Sequence, residues 1–405
     1  MRILFLADNF PPETNAPAAR TFDHTRVWAR VGHAVTVVTC APNFPTGRVH
    51  DGYRNALRSV ETIDGVRVVR VWSYVAPNRG TVRRSLDYLS FSPGAVAAAV
   101  VERRPDVVVG TSPQFFTAVA ANAAGALLRR PWVFELRDLW PASIRAVGAA
   151  GDGPAMRALE ALERHLYRRA ARIVCVTEPF RRVLAERGVD EGKIDVVPNG
   201  VDLEMFAGDS GDRSVVRRGL GIGDDEFLAA YVGTIGMAHR LETVLEAARL
   251  AAGSPVRFLI VGEGAEHERI ASAAAGLSNV ILLRGQPRER VPALLAASDA
   301  SLVLLRRSPL FKTVVPSKIF EAMAMRRPVV LGVEGESARI IQRTESGVAF
   351  EPESAPALLE AIERLRSDRS LAARLGENGR RAAEREFDRV ASAHRMLESL
   401  AAAAE

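Results

Sequence analysis

Short aliphatic and β-branched runs alternate along this chain with longer Ala-, Leu- and Arg-rich stretches whose apolar residues recur at helical spacing. Runs at 3–7, 34–39, 66–71, 107–110, 132–135, 173–176 and 194–197 have the length of buried strands. A second series follows at 228–232, 257–261, 280–283, 300–305 and 328–331. Strands buried on both faces read as near-continuous apolar runs, and parallel neighbours need helical crossovers. The alternation therefore predicts an α/β protein with two parallel, Rossmann-like sheets. Pro198-Asn199-Gly200-Val201-Asp202 is a cluster of turn residues between the two series. It sets the expected boundary, with a first domain at 1–200 and a second at 201–388. Residues 207–226, rich in Gly, Asp and Arg, form a polar stretch ahead of the second domain. From 358 onward the chain is almost all helix formers; Gly376 and Gly379 are expected to mark a break. The last helix, at about 389–405, is expected to pack back on the first domain. Two such domains facing one another would enclose a deep cleft between the carboxyl ends of their sheets, where open α/β sheets bind ligands.

Composition agrees with this picture. A chain of 405 residues exceeds what one core usually supports, and 48% hydrophobic with 25% charged residues is ordinary for a soluble enzyme. Cys40 and Cys175 are too few and too distant for a disulfide framework or a metal site, and read as small buried hydrophobes. The sequence opens directly on MRILFLAD, a strand rather than a signal peptide. The longest apolar runs, such as 95–101, fall far short of the roughly 20 residues a spanning helix needs. A cytoplasmic protein is expected. The net charge of +6 is spread along the chain, and aromatics make up only 6% without interleaved basic runs. That disfavours nucleic acid as a partner. An anionic substrate or an anionic membrane surface accounts for a mild basic excess.

The segment FKTVVPSKIFEAMAMRRPVVL, 311–331, carries the most chemistry. Among 54 Lys+Arg only three are lysine: Lys193, Lys312 and Lys318. Lysine is a compact point charge and arginine a wide planar fork, so a retained lysine suits a site that needs a small cation against phosphate oxygens. Pro316-Ser317 reads as a helix start with Ser317 as N-cap. A helix start offers free N–H groups to an anion. Glu321, one turn later, is placed to accept from hydroxyls beside that anion. A diphosphate with its ribose fits both. A capped core helix followed by a buried strand fits the segment equally well.

Further glycines follow strands at Gly233-Thr234-Ile235-Gly236 and Gly262-Glu263-Gly264, where a backbone can approach a ligand closely. Neither is a dinucleotide fingerprint: the first strand leads into Asp8-Asn9-Phe10-Pro11-Pro12, and His267 stands where a third glycine would. No Walker loop and no Asp-x-Asp pair occur. A diphosphate would then be neutralised without a metal, by Lys318, helix starts and backbone N–H groups. In the first half, the loop NFPPETNAPAAR (9–20) carries Glu13, Asn15 and Arg20; Asn15 by itself reads more simply as a helix cap. The segment FELRDLWP (134–141) sets Glu135, Arg137 and Asp138 among large apolar residues, which is costly unless they are paired or functional.

Taken together, FPPETNAPAAR (10–20), PNFPTGRVHDGYR (42–54), FELRDLWPASI (134–144), PNGVD (198–202), YVGTIG (231–236), VGEG (261–264) and PSKIFEAMAMRRPVVLGVEGE (316–336) resemble family 4 retaining glycosyltransferases of GT-B fold. Within that family the chain is most similar to the fucosamine-transferase-like enzymes of O-antigen, capsule and colanic-acid clusters. The resemblance implies a nucleotide-sugar donor, UDP-linked, held by the second domain at Gly233, Thr234, Gly262, Glu263, Arg284, Gly285, Pro316, Ser317, Lys318 and Glu321. Lys318 and Ser317 would lie near the diphosphate and Glu321 on the ribose. It implies an acceptor on the first domain near Asn15, Arg20 and Arg48, with Glu135, Arg137 and Asp138 at the reacting face, and no metal or other cofactor. A polyprenyl-diphosphate-linked glycan is the implied acceptor. The wider family often has a glutamate eight positions before the second; here that position is Thr313. Its usual Arg and Lys after the first glycine of the second domain fall at Thr234 and His239, and RRP at 326–328 replaces Gly-x-Pro.

Three other readings fit parts of the sequence: a nucleotide-sugar 2-epimerase of the same fold, a non-catalytic nucleotide-sugar sensor, and a nucleic-acid-binding module. Arg79, Arg83 and Arg84, with Val82, Leu86 and Leu89 on one helical face, suggest peripheral contact with an anionic inner leaflet. For 95–101 packing on the sheet is the simpler expectation.

Overall fold

The computed structural model describes residues 1–44, 46–75, 81–146, 153–207 and 213–405, with backbone alone at 81–88 and 146. Contacts divide the chain into two units, Met1–Asn199 with Arg389–Glu405, and Gly200–Asp388. The first holds β1 (Arg2–Leu6), β2 (Ala34–Cys40), β3 (Arg58–Ile63), β4 (Val66–Val71), β5 (Val107–Thr111), β6 (Trp132–Leu136), β7 (Arg172–Cys175) and β8 (Ile194–Val196). Their order is β3-β4-β2-β1-β5-β6-β7-β8. Every pairing is parallel except β3 with β4. Chain order reverses at β1/β5, so the loops after these strands border the ligand edge.

The helix Arg389–Ala404 belongs to this unit. It lies along helix Ala16–Arg30, where the Trp28 indole donates to the Ala393 carbonyl at 2.8 Å. Met396 and Leu400 share one core with Phe5, Val37 and Val109. Cys40 and Cys175 are free and buried, and burial pushes the Cys175 thiol up to about 12, so it is inert near neutrality.

The second unit has β9 (Phe227–Val232), β10 (Val256–Val261), β11 (Val280–Leu283), β12 (Ala300–Leu304), β13 (Val329–Gly332) and β14 (Gly347–Ala349), all parallel in the order β11-β10-β9-β12-β13-β14. Its switch point is β9/β12. Phe258, Ile260, Leu302 and Val330 meet Val244, Leu245, Leu358 and Ile362 on one face, and Leu259 and Val261 meet Leu294 on the other.

All strands expected from the apolar runs are present, with ends moved by about a residue. β3 and β14 were not expected: β3 is a half-exposed edge strand reading RSVETI, and β14 is three residues long. The break expected at Gly376 and Gly379 does not occur. Helix Arg369–Glu386 runs through both. A Cβ at Gly376 would come within 2.3 Å of the Arg326 carbonyl oxygen, and one at Gly379 within 3.3 Å of Met323. These glycines let two helices touch, and the partner is helix Lys318–Ala324. Arg380 completes the brace, donating to the Ala324 carbonyl at 2.9 Å. The helix that carries Lys318 and Glu321 is thereby fixed from behind.

Candidate functional site

At the switch point of the second unit the loops after β9 and β10 lie backbone to backbone. Gly262 has φ +157°, and a Cβ there would fall 1.8 Å from the Gly233 carbonyl oxygen. Any side chain at Gly262 would push the two loops apart, which is why the sequence places glycine there. Glu263 bridges the same loops, its carbonyl accepting from the Ile235 N–H at 2.8 Å. Its carboxylate holds Arg284 at 3.3 Å on the exposed rim, and Gly285 leaves room for it. Thr234 is exposed, and its carbonyl accepts from the Tyr231 hydroxyl at 2.6 Å.

The three lysines have three different fates. Lys193 donates to the Tyr167, Arg168 and Ala170 carbonyls at the end of helix Pro154–Arg169. Lys312 pairs with Glu334 at 3.1 Å on the surface. Lys318 is half-buried along its stem, and its amine is out of contact with solvent and without a hydrogen-bond partner. The amine lies 3.7 Å from the centre of the Tyr231 ring. It also sits against Gly233, where a Cβ would come within 2.8 Å. Burial pushes the Lys318 pKa down to about 7, against the opposing pull of the Glu321 carboxylate. His239 packs edge-on to the same Tyr231 ring at 5.9 Å, and burial followed by the Lys318 charge pushes it down to about 3. His239 is neutral near pH 7. Of the positions at which the resemblance implies cations, Thr234 and His239 bring none, and Lys318 does.

Ser317 differs from the expectation. It occupies the N-cap position of Lys318–Ala324, but its φ/ψ of −61°/−25° are helical and its side chain makes no cap bond. The N–H groups of Ile319 and Phe320 bond to the Pro316 and Ser317 carbonyls at 3.1 and 3.0 Å. These N–H groups, expected to be free for an anion, close the turn instead, so the burden falls on the Lys318 amine.

In the first unit Glu135 is the penultimate residue of β6 and is 1% exposed. It accepts from Arg20 Nε at 2.7 Å and from the Thr111 hydroxyl at 2.6 Å. Burial alone would raise its pKa; Arg20, then Arg137 and Thr111, outweigh that and hold it below the ordinary carboxylate range. Arg20 also donates to the Val197 and Pro198 carbonyls and to Asn199 at 3.1–3.2 Å. Two residues expected in separate roles thus form one buried pair that fastens helix Ala16–Arg30 to β6 and to the chain after β8. Asn15 caps that helix, accepting from the Ala18 N–H at 2.9 Å. Glu13, which sequence reasoning only noted, organises the loop after β2 by accepting from the Asn43 and Phe44 N–H groups at 2.9 and 2.8 Å. Arg48 is exposed on that loop.

The Ser112 hydroxyl accepts from the Arg137 and Asp138 N–H groups at 2.7 and 3.1 Å, turning the chain after β6. Asp138 is half-buried. Burial pushes its pKa up to about 6, with Ser143, the Leu139 N–H and the Arg137 charge opposing. Arg137 is pushed down to about 10 by burial and remains charged at neutral pH. Asp138 therefore ionises just below neutrality. If turnover needs it charged, activity rises with pH through about 6, and Asp138→Asn removes that limb. A wild-type profile flat between pH 5 and 7 contradicts this, as does the same limb in the variant.

Two family profiles match the chain, "Glycosyl transferase 4-like domain" over residues 16–200 and "Glycosyl transferases group 1" over residues 212–382. The chain belongs to the glycosyltransferases of GT-B fold built from these two domains. It is 28% identical over 375 residues to an Escherichia coli K12 protein named as colanic acid biosynthesis glycosyl transferase WcaI, covering 89% of this chain and 91% of that one. It is 31% identical over 278 residues to D-inositol 3-phosphate glycosyltransferase of Geodermatophilus obscurus, covering 64% and 60%. Among solved structures, sucrose-phosphate synthase of Thermosynechococcus elongatus superposes with a TM-score of 0.76 at 20% identity, over 98% of this chain and 97% of that one. Anabaena HepE in complex with UDP-glucose superposes with a TM-score of 0.75 at 18% identity, over 99% and 100%.

Proposed function

We propose that this glycosyltransferase takes its sugar from a UDP-sugar, passes it to an acceptor hydroxyl with retention of anomeric configuration, and works in assembly of a lipid-linked cell-surface glycan. The observation that carries the donor assignment is the Lys318 amine, buried without a hydrogen-bond partner at the β9/β12 switch point. A buried amine with no hydrogen-bond acceptor is costly to charge, and a diphosphate is the natural complement. The named ligand of HepE, UDP-glucose, supports UDP as the nucleotide, and the colanic-acid name of the Escherichia coli relative supports a polysaccharide product. Lys318 stabilises the leaving diphosphate as negative charge develops, the largest kind of contribution available without an enzyme nucleophile. A donor phosphate oxygen takes the acceptor proton, and the unit carrying Arg137, Asp138 and Arg48 receives the acceptor. No helix among the described residues is long and apolar enough to cross a membrane, which fits a protein that meets a lipid-linked acceptor from the cytoplasmic side. A donor-only incubation tests the class of reaction: a released epimer would point to the epimerase chemistry of this fold and sink the proposal.

Glu321 is assigned to the donor ribose. Charge-assisted hydrogen bonds of that kind contribute about 1.5–3 kcal/mol. Glu321→Gln is expected to weaken the UDP donor more than its 2′-deoxy analogue, read as kcat/KM on each; equal losses would remove Glu321 from the ribose. The reaction is assigned as metal-independent. The sequence offers no Asp-x-Asp pair to share a metal with the diphosphate. Activity is expected to persist in EDTA; loss in chelator with recovery on Mn²⁺ would overturn this.

A further inference from the structure

Arg79 and the side chains of Val82, Arg83, Arg84 and Leu86, the basic stretch singled out from sequence, lie outside the described residues. Within the described residues, Lys318 is the lysine whose charge is least provided for. Lys193 gives its protons to three carbonyls, and Lys312 meets a carboxylate. No oxygen accepts from the Lys318 amine, and Glu321 on the same helix acts on it as a charge without bonding to it. What the amine does touch is an aromatic face. Tyr231, the penultimate residue of β9, is fully buried, and its ring centre lies 3.7 Å from Nζ. An aromatic face carries negative potential and attracts a cation, most strongly where water is absent.

The same side chain is engaged at its other end. Its hydroxyl donates to the Thr234 carbonyl at 2.6 Å, closing the chain around Gly233 (φ +145°), whose backbone is the amine's other neighbour. Burial pushes the Tyr231 hydroxyl well above its ordinary range, so it remains a donor at every pH near neutrality. His239 meets the ring edge-on at 5.9 Å, with 64° between the two planes. Its Nδ1 lies 3.3 Å from the Leu304 carbonyl, an acceptor only, so the neutral imidazole carries its proton there. Glu321, Tyr231 and His239 are the titratable groups that act on the amine among the described residues. A core position needs apolar bulk, which Leu or Phe supplies. That need explains neither a hydroxyl committed to the loop nor an amine laid on the ring.

A carboxylate in the ring's place would also keep Lys318 charged. It would then have to surrender the amine to an arriving diphosphate, and its own charge would repel that ligand. A ring steadies the cation without competing for it. Resting on the reading of Lys318 as the diphosphate contact, we propose that Tyr231 is a positioning residue of the donor site: its ring holds the Lys318 ammonium in place for the diphosphate, and its hydroxyl fixes the β9 loop around that ammonium.

With only three lysines in the chain, the amine can be watched directly. Protein labelled with ¹³C-lysine gives three ε-carbon signals, and the one missing from Lys318→Ala belongs to Lys318. Its shift against pH reads the amine with no ligand present. In wild type the midpoint is expected at about 7. Tyr231→Phe keeps the ring and should titrate with wild type. Trifluorophenylalanine at position 231 keeps the shape but strips the ring face of its negative potential, and should lower the midpoint by about one pH unit. UDP calorimetry on the same proteins then adds the diphosphate. Tyr231→Phe should bind about threefold more weakly than wild type at every pH, the cost of one neutral hydrogen bond. Relative to Tyr231→Phe, the fluorinated protein should bind about twofold more weakly at pH 6 and about tenfold more weakly at pH 8. Ionisation of UDP itself cancels from that ratio, and a merely structural defect would cost the same factor at each pH. A Lys318 midpoint that ignores the fluorines, or that moves as far in Tyr231→Phe, overturns the ring's role. So does a loss of UDP affinity in the fluorinated protein that is uniform in pH. Midpoints that move as expected, with no UDP bound even by wild type, would instead sink the donor reading and leave only the contact between ring and amine.

Discussion

Lys318→Ala is expected to weaken UDP binding tenfold to a hundredfold, the range that follows from losing a charge-assisted bond of about 1.5–3 kcal/mol. Lys318→Arg should recover little. The amine occupies a slot between the Tyr231 ring at 3.7 Å and the backbone of Gly233, where even a Cβ would come within 2.8 Å. A planar guanidinium does not fit there without moving the β9 loop, and that loop is locked to Gly262. The wild-type protein should also show a pH signature. Its free amine has a pKa of about 7. Below that value the amine is charged before the ligand arrives. Above it the diphosphate must draw a proton in, so UDP affinity should fall by up to about tenfold per pH unit between pH 7 and 9. The last phosphate ionisation of UDP, at about pH 6, adds negative charge as pH rises and works against this fall, so a decline above pH 7 reports the protein. Calorimetry at several pH values reads both effects. An Ala variant that binds as tightly as wild type, or a flat profile from pH 7 to 9, would remove Lys318 from the donor site.

The second large effect is on stability. Removing one partner of a buried ion pair strands the other, at a cost of about 3–5 kcal/mol. Arg20→Met and Glu135→Leu should each destabilise the first unit by that order, and combining them should restore much of the loss. Glu135 sits below its unfolded value of 4.5, so its share of stability is complete above that pH and is lost as pH falls through the folded value. The double variant should lose that acid-side sensitivity. Thermal unfolding of the single and double variants at pH 7 and 4 measures this. Single variants that melt with wild type would show that the pair does not hold helix Ala16–Arg30 to β6. A double variant no better than the worse single variant would show that the cost lies elsewhere.

The sheets were legible because parallel strands are buried on both faces: β9 and β13 read as unbroken apolar runs, and β10 and β12 carry one polar residue each, Arg257 and Ser301. β3 escaped because an antiparallel edge strand alternates charge with apolar residues, and β14 because three residues carry no period. Gly376 and Gly379 misled because a glycine tolerated inside a helix for close packing looks the same in sequence as one that ends it. The candidate donor site was read at Lys318 from the scarcity of lysine, the helix start at Pro316-Ser317 and the family resemblance. The other two lysines show the limit of that signal, one closing a helix end and one paired on the surface. Tyr231 as the floor beneath the amine was not visible, because an aromatic inside a buried strand looks like core. Glu135 and Arg20 lie 115 positions apart, and nothing in either segment announced that each would take the other.

The most direct test is incubation of the purified chain with a panel of labelled UDP-sugars and polyprenyl-diphosphate glycan acceptors, followed by mass spectrometry and anomeric-proton NMR of the lipid product. The expected result is one sugar added, in the same anomeric configuration it had in the donor. Transfer with inversion, or release of an epimerised donor without transfer, would contradict the account.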